Sequence, residues 1–178
     1  MKTNTKTPIV IIVFGLPGTG KTYFASKLAE QINAEYINSD RLRKELFPKR
    51  TYSDKEKEIV YKEMLEKTKR SIDENRDVVL DATFYKNDVR KMLIKEIKNK
   101  SEIFFIEIVA DENMVRRRLQ MERPHSEADF NVYKLIQRQW EPLNEPHLVL
   151  NSTGDNIYHM LQKTMDHLQK KNDKGSDQ

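Results

Sequence analysis

Ile9-Val10-Ile11-Ile12-Val13-Phe14 runs directly into Gly15-Leu16-Pro17-Gly18-Thr19-Gly20-Lys21-Thr22. The first half is an unbroken apolar run ended by a glycine, as a strand covered on both faces of a parallel sheet requires. The second half matches G-x-x-x-x-G-K-[ST], and each fixed position has a chemical reason. Glycines let backbone N–H groups turn inward around phosphate oxygens, where a Cβ would obstruct them. The helix that starts here turns its positive end to the same anion. Lys21 then neutralises charge on the β- and γ-phosphates, and the Thr22 hydroxyl completes a magnesium shell. The stretch predicts a nucleoside triphosphate, ATP or GTP, bound with Mg2+ by Gly15, Pro17, Gly18, Thr19, Gly20, Lys21, Thr22 and Tyr23. A glycine-rich turn with an incidental Lys-Thr is the alternative. Four fixed positions would arise by chance in such a chain well under about 1% of the time.

Outward from this loop, short β-rich runs alternate with helical stretches. Phe24, Leu28 and Ile32 share one face of the helix that follows the loop, and Glu35 to Asn38 reads as a second strand. Ser53 caps a long helix carrying Tyr61, Leu65, Thr68 and Ile72 at helical spacing. Val78 to Leu80 forms a third strand ended by Asp81, a helix follows from about Asn87 to Lys98, and Ile103 to Val109 forms a fourth. Asp111 caps the next helix. Ser126 and Asp129 form a capping-box-like start for another, which runs towards Trp140 and is ended by Pro142 and Pro146. Leu148 to Leu150 is a fifth strand, and Ile157, Leu161, Met165 and Leu168 mark a last amphipathic helix. The pattern predicts an α/β fold of three layers: a five-stranded parallel sheet flanked by helices, of the P-loop NTPase kinase type, with a helical lid. Residues 1–170 read as one domain with the lid at about 112–130, and 171–178 as a polar tail.

Composition narrows the chemistry. With no cysteine, disulfides and thiolate metal sites are excluded. The longest apolar run is far too short to span a bilayer, and the first residues lack an apolar stretch of signal-peptide length, so a soluble, cytoplasmic protein without a membrane partner is expected. The net charge of +4 fits a mixed surface, but the basic residues cluster between Arg116 and Arg123, where anions would be welcome.

Three kinds of protein use such a loop. A GTPase switch carries an Asn-Lys-x-Asp base-reading motif, whereas Asn99-Lys100-Ser101-Glu102 ends in Glu and precedes a strand instead of following one. A motor ATPase needs an acidic pair after the third strand, but Asp81 is followed by Ala82. A kinase needs a carboxylate to activate its acceptor and a cationic lid, and both have candidates. Asp40 follows the second strand at the ligand-binding edge of such a sheet and is placed to accept the proton of an attacking hydroxyl. Arg43, three residues on, faces the same way and suits an acceptor phosphate or the transferring group. Asp81 would meet the Thr22-bound magnesium, and Thr83 and Arg90 lie just beyond as acceptor contacts. Arg116, Arg117, Arg118 and Arg123 supply lid guanidinium groups, of which two are expected to be functional while the rest face solvent or pair with Glu112 and Glu122. The four histidines show no metal-ligand spacing, and Trp140 reads as a packing residue.

These motifs resemble the small P-loop kinases related to 5′-hydroxyl polynucleotide kinases, the zeta-toxin group and the predicted-kinase ATPases. The resemblance covers about Ile9 to Thr153. It rests on the P-loop, Asn38-Ser39-Asp40-x-x-Arg43, Val79-Leu80-Asp81-Ala82-Thr83-Phe84 with Arg90, the arginine helix, and Ser126 to Asp129 leading to Glu141-Pro142. It implies that Asp40 is the general base, that Arg43 contacts the scissile or acceptor phosphate, and that Asp81 helps hold the metal. It also implies that Arg118 lies near the nucleobase, that Arg123 reaches across the donor phosphates, and that the Asn151 to Asp155 loop borders the base. Family lids often place a second arginine four residues after the first. Here Glu122 stands four after Arg118 and Arg123 five, which leaves Arg117, Arg118 and Arg123 as alternatives. The Asp40–Arg43 spacing and the basic charge favour the 5′-hydroxyl end of RNA or DNA as acceptor. A small metabolite (sugar, nucleotide sugar or antibiotic) is the runner-up, and a non-catalytic nucleotide-binding module a third reading. Oligomeric state is not indicated.

Overall fold

The structure, a computed structural model, describes residues 7–121 and 127–175, the last five by backbone only. Strands β1 (Ile9–Phe14), β2 (Glu35–Asn38), β3 (Val78–Asp81), β4 (Glu102–Val109) and β5 (Leu148–Asn151) form one parallel sheet in the order β2-β3-β1-β4-β5. Helices α1 (Lys21–Ile32), α2 (Ser39–Leu46), α3 (Asp54–Asp73), α4 (Asn87–Ile97), α5 (Glu112–Leu119), α6 (Phe130–Arg138) and α7 (Ile157–Gly175) supply the connections. The expected α/β P-loop NTPase architecture is therefore present.

Side-chain alternation along β1 explains the layering. Val10, Ile12 and Phe14 point to one face, where they pack with Val60, Met64 and Ile72 of α3 and Leu93 and Ile97 of α4. Ile11 and Val13 point to the other, against Phe24 and Leu28 of α1 and Met160, Leu161 and Leu168 of α7. Because β1 is central, all six of its residues are buried. That is why the run carries no polar residue.

The register brings the strand ends to a common rim. Val13 pairs with Asp81, and Asp81 with Asn38, while Val109 pairs with Asn151. Chain order reverses direction across β1, since β2 and β3 lie on one side of it and β4 and β5 on the other. Open α/β sheets bind ligands at that switch point.

Local differences from the sequence expectations have simple causes. The cap of α6 is Asp129 itself, whose carboxylate accepts from Val132 N at 2.9 Å, and the helix closes at Arg138, short of Trp140. Ser126 lies outside the described residues. Trp140 is a packing residue as expected: it stacks on Phe14 with ring centroids 6.0 Å apart and planes 11° off parallel. Among the described residues, no helix is long and apolar enough to cross a membrane.

Candidate active site

The P-loop follows β1 without a gap and winds into α1. Gly18 and Gly20 hold left-handed backbone at φ +79° and +93°, which side chains rarely adopt. A Cβ on Gly20 would also stand 2.9 Å from Ser152 Oγ and 3.2 Å from Arg118 Nη1. The loop is braced from within by Thr19, whose hydroxyl donates to the Leu16 carbonyl at 2.9 Å, and Lys21 Nζ reaches the same carbonyl at 3.4 Å. Gly20 caps α1 without a side-chain acceptor. An anion would fill that role.

A cavity of about 700 Å³ opens over this loop. Its lining includes Lys21, Thr22 and Tyr23 from the loop and α1, Asp40 and Arg41 from α2, Arg118 from α5, and Ser152 to Gly154 after β5. Of the expected residues, Lys21, Thr22, Tyr23, Asp40 and Arg118 therefore share one space, which Arg43, Asp81, Thr83 and Arg90 do not line. Thr22 and Tyr23 are exposed in it, while Pro17 and Thr19 are buried beneath.

Asp81 is fully buried at the end of β3. Its Oδ2 accepts from Tyr36 Oη at 2.8 Å and Asn38 Nδ2 at 2.6 Å, both reaching over from neighbouring β2. Burial and then the Asp81 charge push the Tyr36 phenol well above its ordinary value, so that hydroxyl stays a donor. Asp81 Oδ1 has no hydrogen-bond partner among the described residues, an expensive condition for a buried carboxylate oxygen. An oxygen so placed, one strand from the P-loop, fits a hard cation or a water bound to it. The described residues contain no group of three or more His, Cys, Asp or Glu able to hold a metal unaided. A magnesium here would need Thr22, phosphate oxygens and water to fill its shell.

Of the lid arginines, the structure directs Arg118 to the site. Its Nη1 donates to the Thr19 carbonyl at 3.0 Å, and its guanidinium also bonds Ser152 Oγ at 3.2 Å and the Thr153 carbonyl at 2.8 Å. Arg117 is exposed, and Arg116 lies 3.8 Å over the Phe130 ring. The helical phase carries the difference, since Arg118 is three residues after buried Val115 and so shares its inward face. That spacing was available in the sequence. Arg123, like the rest of 122–126, lies outside the described residues. Of the span expected as a lid, 112–130, the described part comprises α5 and the residues that lead into α6.

Two expected substrate contacts are corrected. Arg43 is 7% exposed and donates from Nη1 to Glu56 Oε1 at 2.9 Å, so its charge is already paired inside the protein. Glu56 Oε2 is held by Thr51 N at 2.7 Å, Thr51 Oγ1 at 2.9 Å and Tyr52 N at 3.2 Å. Burial alone would raise this carboxyl, but the Thr51 backbone and the Arg43 guanidinium outweigh it and bring it down to about 2. Arg90 is 1% exposed and binds the carbonyls of Phe84 (2.8 Å), Glu141 and Pro142 (3.3 Å). It fastens the β3–α4 turn to the segment after α6 and does not line the cavity. Thr83, half-buried in that turn, is within hydrogen-bond reach of the buried Tyr61 hydroxyl.

The Arg43 correction is testable. Arg43→Ala strands a buried Glu56, and breaking such a pair from one side costs about 3–5 kcal/mol. The variant should unfold at clearly lower denaturant concentration than the parent. Unchanged unfolding, with only the acceptor's KM raised, would return Arg43 to the substrate. Asp40, in contrast, is not the helix cap: Asn38 Oδ1 accepts from Arg41 N at 2.9 Å and caps α2. Sequence reasoning missed Tyr36, whose role arises from the strand brought beside Asp81, while Ser152 lies in the Asn151 to Asp155 loop expected to border the base.

Comparison with known proteins bears on the fold that carries this cavity. A family model described as an AAA domain matches residues 10–143. No curated protein matches the chain in sequence. Among solved structures, a gluconokinase from Sinorhizobium meliloti superposes with a TM-score of 0.74 at 14% identity, covering 97% of this chain and 99% of that one. The Mycobacterium tuberculosis APS kinase in complex with AMPPNP and APS gives 0.71 at 16% identity, with 92% and 98% covered. A sugar kinase from Janibacter sp. gives 0.67 at 16% identity, with 90% and 95% covered. At these identities the likeness is one of fold.

Proposed function

Because this chain belongs to the AAA domain family, its model matching residues 10–143, we propose that it is a kinase moving the γ-phosphate of a nucleoside triphosphate to a hydroxyl of a small molecule. The observation that carries the reading is the shared cavity, in which Asp40 lines the same space as Lys21 and Thr22. The acceptor hydroxyl oxygen forms a bond to the γ-phosphorus as the bond to the β–γ bridging oxygen breaks, and the diphosphate leaves. Asp40 takes the hydroxyl proton as that oxygen attacks. Lys21 and Arg118 stabilise charge on the transferring group and on the donor, and closure over the cavity excludes water that would otherwise hydrolyse it. Bound between Thr22, Asp81 and the phosphates, a magnesium ion would supply further charge neutralisation.

A small acceptor is favoured over a nucleic-acid 5′ end for a specific reason. The case for a strand rested on the Asp40–Arg43 spacing together with the basic charge, and Arg43 is paired with Glu56. Superposition on sugar-type kinases points the same way without fixing the acceptor.

The test is transfer of labelled phosphate from ATP, with magnesium and with a chelator, to a panel of small hydroxyl compounds and 5′-hydroxyl oligonucleotides. Magnesium-dependent labelling of a small compound is expected. Transfer to oligonucleotides alone, weakening with salt at a log–log slope of about 0.7 per phosphate contacted, would restore the strand as acceptor.

A further inference from the structure

Near Asp40, whose charge reaches Tyr52, the structure builds a second polar assembly that the phosphate chemistry does not use. Tyr52 sits between α2 and α3 with φ +55°, left-handed backbone rare for a residue with a bulky side chain. Glu56 holds it there through Thr51 N and Tyr52 N, the same carboxylate that pairs with Arg43. So placed, the Tyr52 ring lies under the Arg43 guanidinium, 4.9 Å from its carbon to the ring centroid, and the residue remains 38% exposed. Its hydroxyl donates at 2.8 Å to Glu127 Oε2, on the segment leading into α6. Arg50 grips the other oxygen, with Nε 2.9 Å from Glu127 Oε1 and Nη2 on the same atom. The segments flanking the lid and the α2–α3 connection thus meet through one carboxylate.

We propose that Tyr52, Glu127 and Arg50 form the acceptor-selecting face of this kinase, and that the face takes an uncharged polyhydroxyl compound. This rests on the kinase reading above and adds the class of acceptor. The Tyr52 ring offers a flat surface to a carbon skeleton, and Glu127 offers a carboxylate to its hydroxyl groups, each an O–H donor. Charge decides against an anionic acceptor. Both arginines on this face are already neutralised, Arg43 by buried Glu56 and Arg50 by Glu127. Releasing Arg43 would strand Glu56 in the interior, and releasing Arg50 would leave Glu127 facing the anion. An O–H donor adds to Glu127 without displacing either of its partners, whereas a phosphate or carboxylate would have to break one of these pairs to find a cation on this face. Burial, the Glu127 carboxylate and the nearby Asp40 charge push the Tyr52 phenol up to about 12, against the opposing pull of Arg43, so its hydroxyl remains protonated at neutral pH.

The experiment compares neutral polyols with their carboxylate and phosphate counterparts and with 5′-hydroxyl oligonucleotides, using magnesium-ATP and the full chain. Two variants, Glu127→Gln and Tyr52→Phe, are run beside the parent after their unfolding transitions have been matched to it. Turnover is expected on neutral polyols. Glu127→Gln should raise the acceptor's KM about tenfold, the loss of one charge-assisted hydrogen bond, with the donor's KM unmoved. Tyr52→Phe keeps the ring and should shift the same constant in the same direction by less. An anionic acceptor in the parent, or acceptor KM values untouched in both variants, would overturn the inference while leaving the kinase standing. No product from any member of the panel would remove both.

Discussion

Lys21→Ala is expected to lower phosphoryl transfer by about two to three orders of magnitude while the protein still folds, because it removes a preorganised cation from the charge that develops on the donor. The structure makes the two effects separable. Lys21 opens α1 and reaches back to the Leu16 carbonyl at 3.4 Å, a long hydrogen bond. The helix itself is anchored by Phe24, Ala25, Leu28 and Ala29, all buried. Alanine is at least as good a helix former as lysine, so little stability should be lost. Steady-state transfer and thermal unfolding measured on the same preparation check both halves. A folded variant with near-normal turnover would reject the phosphotransferase reading.

Asp40→Asn should have an effect of similar size and a different form. General-base catalysis contributes about 10²–10⁴ in rate, and the carboxylate acts when the acceptor proton moves, so kcat falls while the donor's KM changes little. Asparagine keeps the volume of the side chain, and α2 retains its cap on Asn38. A merely structural role for Asp40 therefore predicts a mild phenotype. If the donor's KM rises in step with the loss of rate, Asp40 belongs to nucleotide or metal binding instead.

Much of this was readable before any coordinates. β1 and the P-loop were legible because burial on both faces and a phosphate cradle each demand a composition that few other arrangements tolerate. Asp81 was legible for a related reason, as a carboxylate ending an apolar run. The arginines were not. Arg43 and Arg90 looked like ligand-binding cations, but a sequence does not display a counter-charge thirteen residues away or a set of backbone carbonyls some fifty residues distant. A charged residue near a motif is a site candidate only until its internal partners are counted. Arg118 was one of three alternatives and could have been separated from Arg117 by its phase relative to Val115. Tyr52 carried no signal, because its position depends on a left-handed turn held by Glu56.

Trp140 is the chain's only tryptophan. Its indole lies against Phe14, the residue immediately before the P-loop, and neighbours the Glu141 carbonyl that Arg90 holds. All intrinsic tryptophan emission therefore originates one residue from the phosphate cradle. Titrating nucleotide while following that emission gives a label-free optical readout of donor binding in the unmodified protein. The absence of cysteine adds a practical benefit: a single introduced cysteine would take a maleimide dye at one position, giving Trp140 a defined partner for energy transfer.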